Sequence, residues 1–261
     1  SNIPAVKNQR IYFEKDIDSL YEIFDKVYTQ ILKPWYGQPQ FDSLPLYKDQ
    51  NPIHFFPSIF DKAKEVFNIS ADSEMIFIKE LNREIVNPYY FLKHQYPKRE
   101  KEFFKYYKSI CHGDLNLQNI LLDEKENIYI LDFSETKYRN CVSDFARLEP
   151  IIKIEYFNIE TQEDLNALID FELALNSVDR IDSKPQFVYH GNDKEVERGY
   201  KMILKIRDYA NTVSLFEKDI KPYLIAMLEW TLPVVCYMGL NEFRIRYSMI
   251  MAALMTEKLY K

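Results

Sequence analysis

The run Ile110-Cys111-His112-Gly113-Asp114-Leu115-Asn116-Leu117-Gln118-Asn119-Ile120-Leu121-Leu122, with Ile130-Leu131-Asp132-Phe133-Ser134 shortly after it, decides how the rest of the chain is read. Asn119-Ile120-Leu121-Leu122 is a short apolar strand, Asp123 to Asn127 a polar turn, and Ile128-Tyr129-Ile130-Leu131 the returning strand. A hairpin brings its two open ends together. Asn119 and Asp132 are therefore expected to lie close in space although they are separated in sequence.

The residue types at these positions suit one chemistry. A hydroxyl that attacks the γ-phosphate of ATP needs a carboxylate to orient it and take its proton, and oxygen ligands for the Mg²⁺ that bridges the phosphates. Asp114 fits the first role. Asn119 and Asp132 fit the second, because Mg²⁺ prefers hard oxygen donors and keeps water and substrate phosphate as its other ligands. His112 reads as a structural hydrogen-bonder that supports the loop. Asp123 and Glu124 read as solvated turn residues.

Composition narrows the alternatives. The net charge of −6 leaves no basic surplus to neutralise nucleic-acid phosphates, so no nucleic-acid partner is expected. The three cysteines, Cys111, Cys141 and Cys236, lack metal-ligand spacing, and their odd number favours reduced thiols and a cytoplasmic location. Cys111 beside the motif is read as packing. The most apolar stretch, Tyr223 to Gly239, is interrupted by Glu229 and Pro233, and it reads as a buried helix, with no membrane partner expected. With only five glycines, the chain carries no phosphate-cradling Gly-rich loop.

Elsewhere the pattern is mainly helical. Ile17, Leu20, Tyr21, Phe24, Val27, Tyr28, Ile31 and Leu32 form a helical stripe that ends at Pro34 and Gly37. Residues 34–57, with five prolines, read as a loop. Ser58 to Phe67 reads as a helix with Ile59, Phe60, Ala63, Val66 and Phe67 inward. Residues 74–107 read as helical in parts, broken near Pro88 and Pro97. After the hairpin come helices over Asp144 to Phe157, from a Thr161/Asp164 capping box to about Asn176, over 193–211, over 219–238 and over 242–259. Arg10-Ile11-Tyr12-Phe13 is a short extended candidate. The expected fold is α+β and predominantly helical, a single unit over residues 1–261 with one small hairpin and no large sheet.

His112-Gly113-Asp114-Leu115-Asn116-Leu117-Gln118-Asn119 resembles the catalytic loop of the kinase-like small-molecule phosphotransferases, the aminoglycoside phosphotransferase and choline kinase-like group. Gly113 and Asn116 stand where protein kinases usually carry Arg and Lys. Asp132-Phe133-Ser134 is similar to their metal-binding Asp-Phe-Gly. Asp144-Phe145-Ala146-Arg147-Leu148-Glu149 resembles the group's Asp-Leu-Ala segment. The resemblance implies the C-terminal lobe of a protein-kinase-like fold, with catalytic loop and metal-ligand hairpin over 110–136. It makes Asp114 the base, His112 the loop scaffold, Asn119 and Asp132 the ATP- and Mg²⁺-binding ligands, and Asp144 a brace on the loop.

The resemblance leaves a lobe unaccounted for. The phosphate-covering loop and strand Lys of such proteins have no counterpart here; Ala5-Val6-Lys7 is only a superficial match. Ser1-Asn2 resembles the scar of a cleaved tag. The chain is therefore expected to be the catalytic C-terminal lobe of a larger parent that phosphorylates a small-molecule hydroxyl, and to be inactive alone. The partners implied are the nucleotide, the small-molecule acceptor and the missing N-terminal lobe or other domains of the parent. The alternative is a kinase-like regulatory or assembly module without phosphotransferase activity.

Overall fold

The computed structural model describes residues 17–123, 127–189 and 194–261. The extended candidate at Arg10 to Phe13 and the Ala5-Val6-Lys7 match lie outside the described residues. The fold is mixed, mostly helical, with small antiparallel sheets.

The first helix, α1, covers residues 17–36 and follows the predicted stripe: Phe24, Val27, Tyr28 and Leu32 are buried. It continues past Pro34 because the turns before it, Val27–Leu32, widen to π-helical geometry, and it stops where Gly37 turns to φ 59°. The Pro-rich segment after it holds more structure than its composition signals. Strand β1 (Gln40–Leu44) and the short helix α2 (Leu46–Asp49) lie within it. Helix α3 (Ile59–Phe67) buries Ile59 and Ala63 but leaves Val66 exposed, a correction to the expected inward face.

Residues 74–107, read as helical in parts, hold strands as well as helix. Strands β2 (Met75–Ile78) and β3 (Arg83–Val86) form a hairpin, helix α4 covers 88–99, and strand β4 (Phe104–Cys111) leads into the motif. With a later strand, β7 (Lys137–Asn140), the sheet order is β1-β4-β7, antiparallel throughout. Strands β5 (Ile120–Leu122) and β6 (Ile128–Ile130) form the expected hairpin, and strand β7 (Lys137–Asn140) returns along β4 with Cys111 opposite Lys137.

The helices after β7 supply most of the core. They are α5 (143–156), α6 (Gln162–Ala167), α7 (Ile169–Asn176), α8 (Lys194–Val213), α9 (Lys221–Thr231) and α10 (Glu242–Tyr260). The capping box predicted at α6 is present, with the Thr161 hydroxyl accepting from Asp164 N–H and the Asp164 carboxylate accepting from Thr161 N–H. Helix α9 is buried on every face from Pro222 to Thr231, which is what an apolar run without a polar stripe requires. It packs on α5 and α10, while α5 also meets α8. No helix among the described residues is long and apolar enough to cross a membrane.

A buried ionic network joins five of these helices. On α5, Glu149 accepts both Arg207 Nε (2.9 Å) and Nη2 (2.8 Å) from α8, and the Tyr223 hydroxyl from α9 at 2.8 Å. Lys153 bridges Glu149 at 2.8 Å and Glu172 of α7 at 2.9 Å, and the Tyr247 hydroxyl of α10 donates to Glu172. Two carboxylates meet two cations, so the charges balance inside the core, as buried charge requires. Burial alone would push the Glu149 carboxyl up; Arg207 and Lys153 outweigh it and hold it down to about 2.

Candidate functional site

Strand β4 delivers the motif to the edge of the helical core, and Asp144, in the first turn of α5, holds it there. Asp144 is fully buried. Its Oδ2 accepts His112 N–H at 2.8 Å and its Oδ1 accepts Gly113 N–H at 2.9 Å; the Tyr36 hydroxyl, from the end of α1, donates to Oδ2 at 2.8 Å. One carboxylate thus fixes two successive peptide units of the loop and ties them to two helices. Gly113 has φ +92°, and a methyl group there would sit 2.3 Å from the Glu135 carbonyl oxygen, so only glycine fits this turn. From the other side Arg139 of β7 donates Nη1 to Gly113 O at 3.1 Å, while its Nη2 meets both oxygens of Glu229 on α9 at 2.8–2.9 Å.

The His112 ring donates Nε2–H to Leu131 O at 2.8 Å and packs against Phe133 at 5.3 Å between ring centroids. Trp35 lies on the same Phe133 ring at 4.9 Å. The imidazole therefore connects the loop to the far end of the β5–β6 hairpin. Asn116 opens the next turn by accepting Gln118 and Asn119 N–H on Oδ1.

Asn119 donates Nδ2–H to Asp114 O at 2.9 Å, and its own carbonyl accepts Leu131 N–H at 2.9 Å. These two bonds bring Asp114, Asn119 and the residue before Asp132 into one neighbourhood. They also leave the Asn119 Oδ1 as the acceptor end of its amide.

The two carboxylates take different partners. Asp114 Oδ1 accepts Arg147 Nε at 2.8 Å. Asp132, at φ 60°, accepts the Ser134 hydroxyl at 2.7 Å, and this bond, with that from Ser134 N–H, holds its carboxyl below the usual range. Among the described residues no group of three or more His, Cys, Asp or Glu side chains could hold a metal ion unaided.

Sequence reasoning missed Arg147. It stands three residues after Asp144, one helical turn along α5, so its position toward the loop was available from spacing alone. Its guanidinium lies over the Trp230 ring of α9 at 4.0 Å. Tyr36 carried no sequence signal, because it reaches Asp144 from 108 residues away. Cys111 is fully buried and donates weakly to Asn140 O and Ser109 O. Burial pushes its thiol well above the usual range, which fits packing and not reactivity.

Residues 77–229, more than half of the chain, match the ternary complex associated domain 9 family. The chain belongs to that family. The matched span runs from β2 to the Arg139–Glu229 pair and includes the whole Asp114–Asp144 loop assembly. No curated protein and no solved structure matches the chain.

Proposed function

We propose that this chain is the catalytic C-terminal lobe of a kinase-like phosphotransferase, and that its parent transfers the γ-phosphoryl group of ATP to the hydroxyl of a small molecule. The observation that carries the reading is the Asp144 clamp. A loop whose backbone is fixed by a buried carboxylate, by Arg139 and by the His112 ring is a preorganised loop, and phosphoryl transfer relies on positioning and charge stabilisation more than on covalent chemistry.

In this reading Asp114 orients the acceptor hydroxyl and takes its proton. Arg147 occupies Oδ1, which leaves Oδ2 for that hydroxyl. The Asn119 Oδ1 and the Asp132 carboxylate are hard oxygens at neighbouring strand ends, a donor set that fits Mg²⁺ carried by nucleotide phosphates. When bound, the magnesium–nucleotide supplies the transferable phosphoryl group and neutralises the charge that develops on it. His112 holds the hairpin end that carries Asp132, and Asp144 holds the loop that carries Asp114.

The test is transfer from γ-labelled ATP in the intact parent. Asp114→Asn should lower turnover about 10²–10⁴-fold, the usual contribution of a general base, while nucleotide binding survives. Unchanged transfer in that variant would overturn the assignment.

A second reading, a kinase-like regulatory or assembly module, draws support from the family's description as associated with a ternary complex. The Arg147 hold on the Asp114 carboxylate is compatible with it. A parent that assembles normally but transfers no phosphate under any acceptor would favour this module.

A further inference from the structure

A groove of about 720 Å³ runs along strand β2, beside the end of α3 and the first turns of α10. Every residue of β2, Met75 to Ile78, lines it, and no residue of β3 does. Side chains alternate between the two faces of a strand, so a groove lying on a face would touch alternate residues and reach both strands. This groove therefore follows the outer edge of β2. Among the described residues that edge has no strand beside it, since β2 pairs with β3 alone.

The register tells which backbone groups the edge presents. Asn87 N–H donates to Glu74 O at 2.8 Å, so these two residues form a hydrogen-bonded pair. Such pairs alternate along an antiparallel ladder, which gives the inward bonds to Ile76–Ile85 and Ile78–Arg83. Met75 and Phe77, opposite Val86 and Glu84, turn their N–H and C=O outward. Both side chains are exposed as well. Two donors and two acceptors spaced along a strand edge are matched by another extended backbone.

The rest of the lining fixes the side chains such a backbone would carry. Val66 and Phe67 of α3 and Ile245 and Met249 of α10 are apolar. The charged residues balance: Arg246 is paired with Glu80, and Lys79 offsets Glu242. A lining with equal charge of both signs favours neither an acidic nor a basic segment. A second copy of the chain fits poorly, because its β2 lies along the same groove and two recessed edges cannot meet.

We propose that the β2 edge docks an extended, uncharged, apolar segment of a partner protein, which adds a third strand to the β2–β3 hairpin. None of the lining residues belongs to the Asp114–Asp144 loop assembly, so this surface and the phosphoryl-transfer reading stand or fall separately.

The probe is a fluorescein-labelled, C-terminally amidated peptide, Gly-Thr-Val-Ile-Val-Thr-Gly, titrated with the chain and followed by fluorescence polarisation. It should bind saturably. The same peptide methylated on the backbone nitrogens of its central Val-Ile-Val keeps every side chain but loses its donors, and it should bind at least about tenfold more weakly. Phe77→Pro removes an outward N–H that the β2–β3 ladder does not use, a position where an edge strand tolerates proline, and should weaken the unmethylated peptide about tenfold. Met75→Pro removes the other outward N–H and serves should the first variant fail to fold; the methylated peptide needs no variant at all. Peptides with Glu or Lys in place of the central Ile should bind more weakly than the neutral one. Absence of saturable binding would overturn the proposal, as would equal affinity for the methylated peptide or unchanged affinity in the folded proline variant. Tighter binding of a charged peptide would overturn its chemistry. Sedimentation of the chain alone should show a monomer, and a dimer dissolved by Phe77→Pro would assign the edge to a second copy instead.

Discussion

At Gly113 the cost of a single methyl group can be read directly. Glu135 O would lie 2.3 Å from it, and φ is +92°, so Gly113→Ala combines a backbone clash with a disfavoured conformation. Urea unfolding should show a loss of roughly 2–4 kcal/mol. Gly37 and Gly239 also have positive φ but open space around them, so alanine there should cost only about 1 kcal/mol. Equal losses at all three would mean that the loop is looser than its contacts imply. Asp144 offers the second residue-scale test. Its carboxylate accepts three hydrogen bonds, and Asn has one acceptor oxygen, so Asp144→Asn leaves buried N–H groups unpaired. The expected loss is about 1–3 kcal/mol, and Tyr36→Phe should cost less, about 1 kcal/mol. Because both residues meet at Oδ2, the double variant should lose less than the sum of the singles, and strict additivity would argue against the clamp.

At the scale of elements, the helices were legible and most strands were not. The α1 stripe, the α6 capping box and the all-apolar α9 each carry their signal within one segment, where spacing alone reports the buried face. Strand β1 depends on β4, with Leu44 opposite Phe104, and nothing in a Pro-rich stretch announces a partner so distant. Strand β4 has the aromatic and β-branched residues of a strand, but Lys105 and Lys108 interrupt them and charged residues precede it. The β5–β6 hairpin was legible because its turn is short and polar and its strands are apolar. The site divides in the same way. His112, Asp114, Asn119 and Asp132 stand within or beside that hairpin, while Arg139, Glu229, Trp230 and Tyr36 come to it through tertiary packing. The five-helix network gives a pH prediction. Glu149 is depressed from 4.5 to about 2, so it stabilises the fold fully above pH of about 4.5 and loses that contribution as pH falls toward 2. Glu149→Gln leaves Arg207 and Lys153 underpaired and should cost about 3–5 kcal/mol at neutral pH. The gap between the two proteins should narrow as acid is added; a gap that widens below pH 4.5 would contradict the network's role.

At the scale of the whole molecule, one helical core positions both faces of the candidate site. The clamp of Asp144 and Tyr36 fixes the loop from below, the Arg139–Glu229 pair fixes it from the side, and Arg147, lying on the Trp230 ring, holds the Asp114 carboxylate. Phe133 and Leu131 remain exposed beside Asp132, on the side where the account places the nucleotide. With no Gly-rich phosphate-covering motif in its sequence, the chain should bind the nucleotide weakly, so the deciding measurement must read location and not affinity. Manganese–ATP added to this chain, with backbone amides followed by nuclear magnetic resonance, is that measurement. Signals from Leu117 to Asn119 and from Leu131 to Ser134 should broaden first, and Asp132→Asn should suppress the broadening by removing a ligand charge from the metal. Broadening centred elsewhere on the fold, or persisting unchanged in Asp132→Asn, would contradict the assignment of this hairpin to phosphoryl transfer.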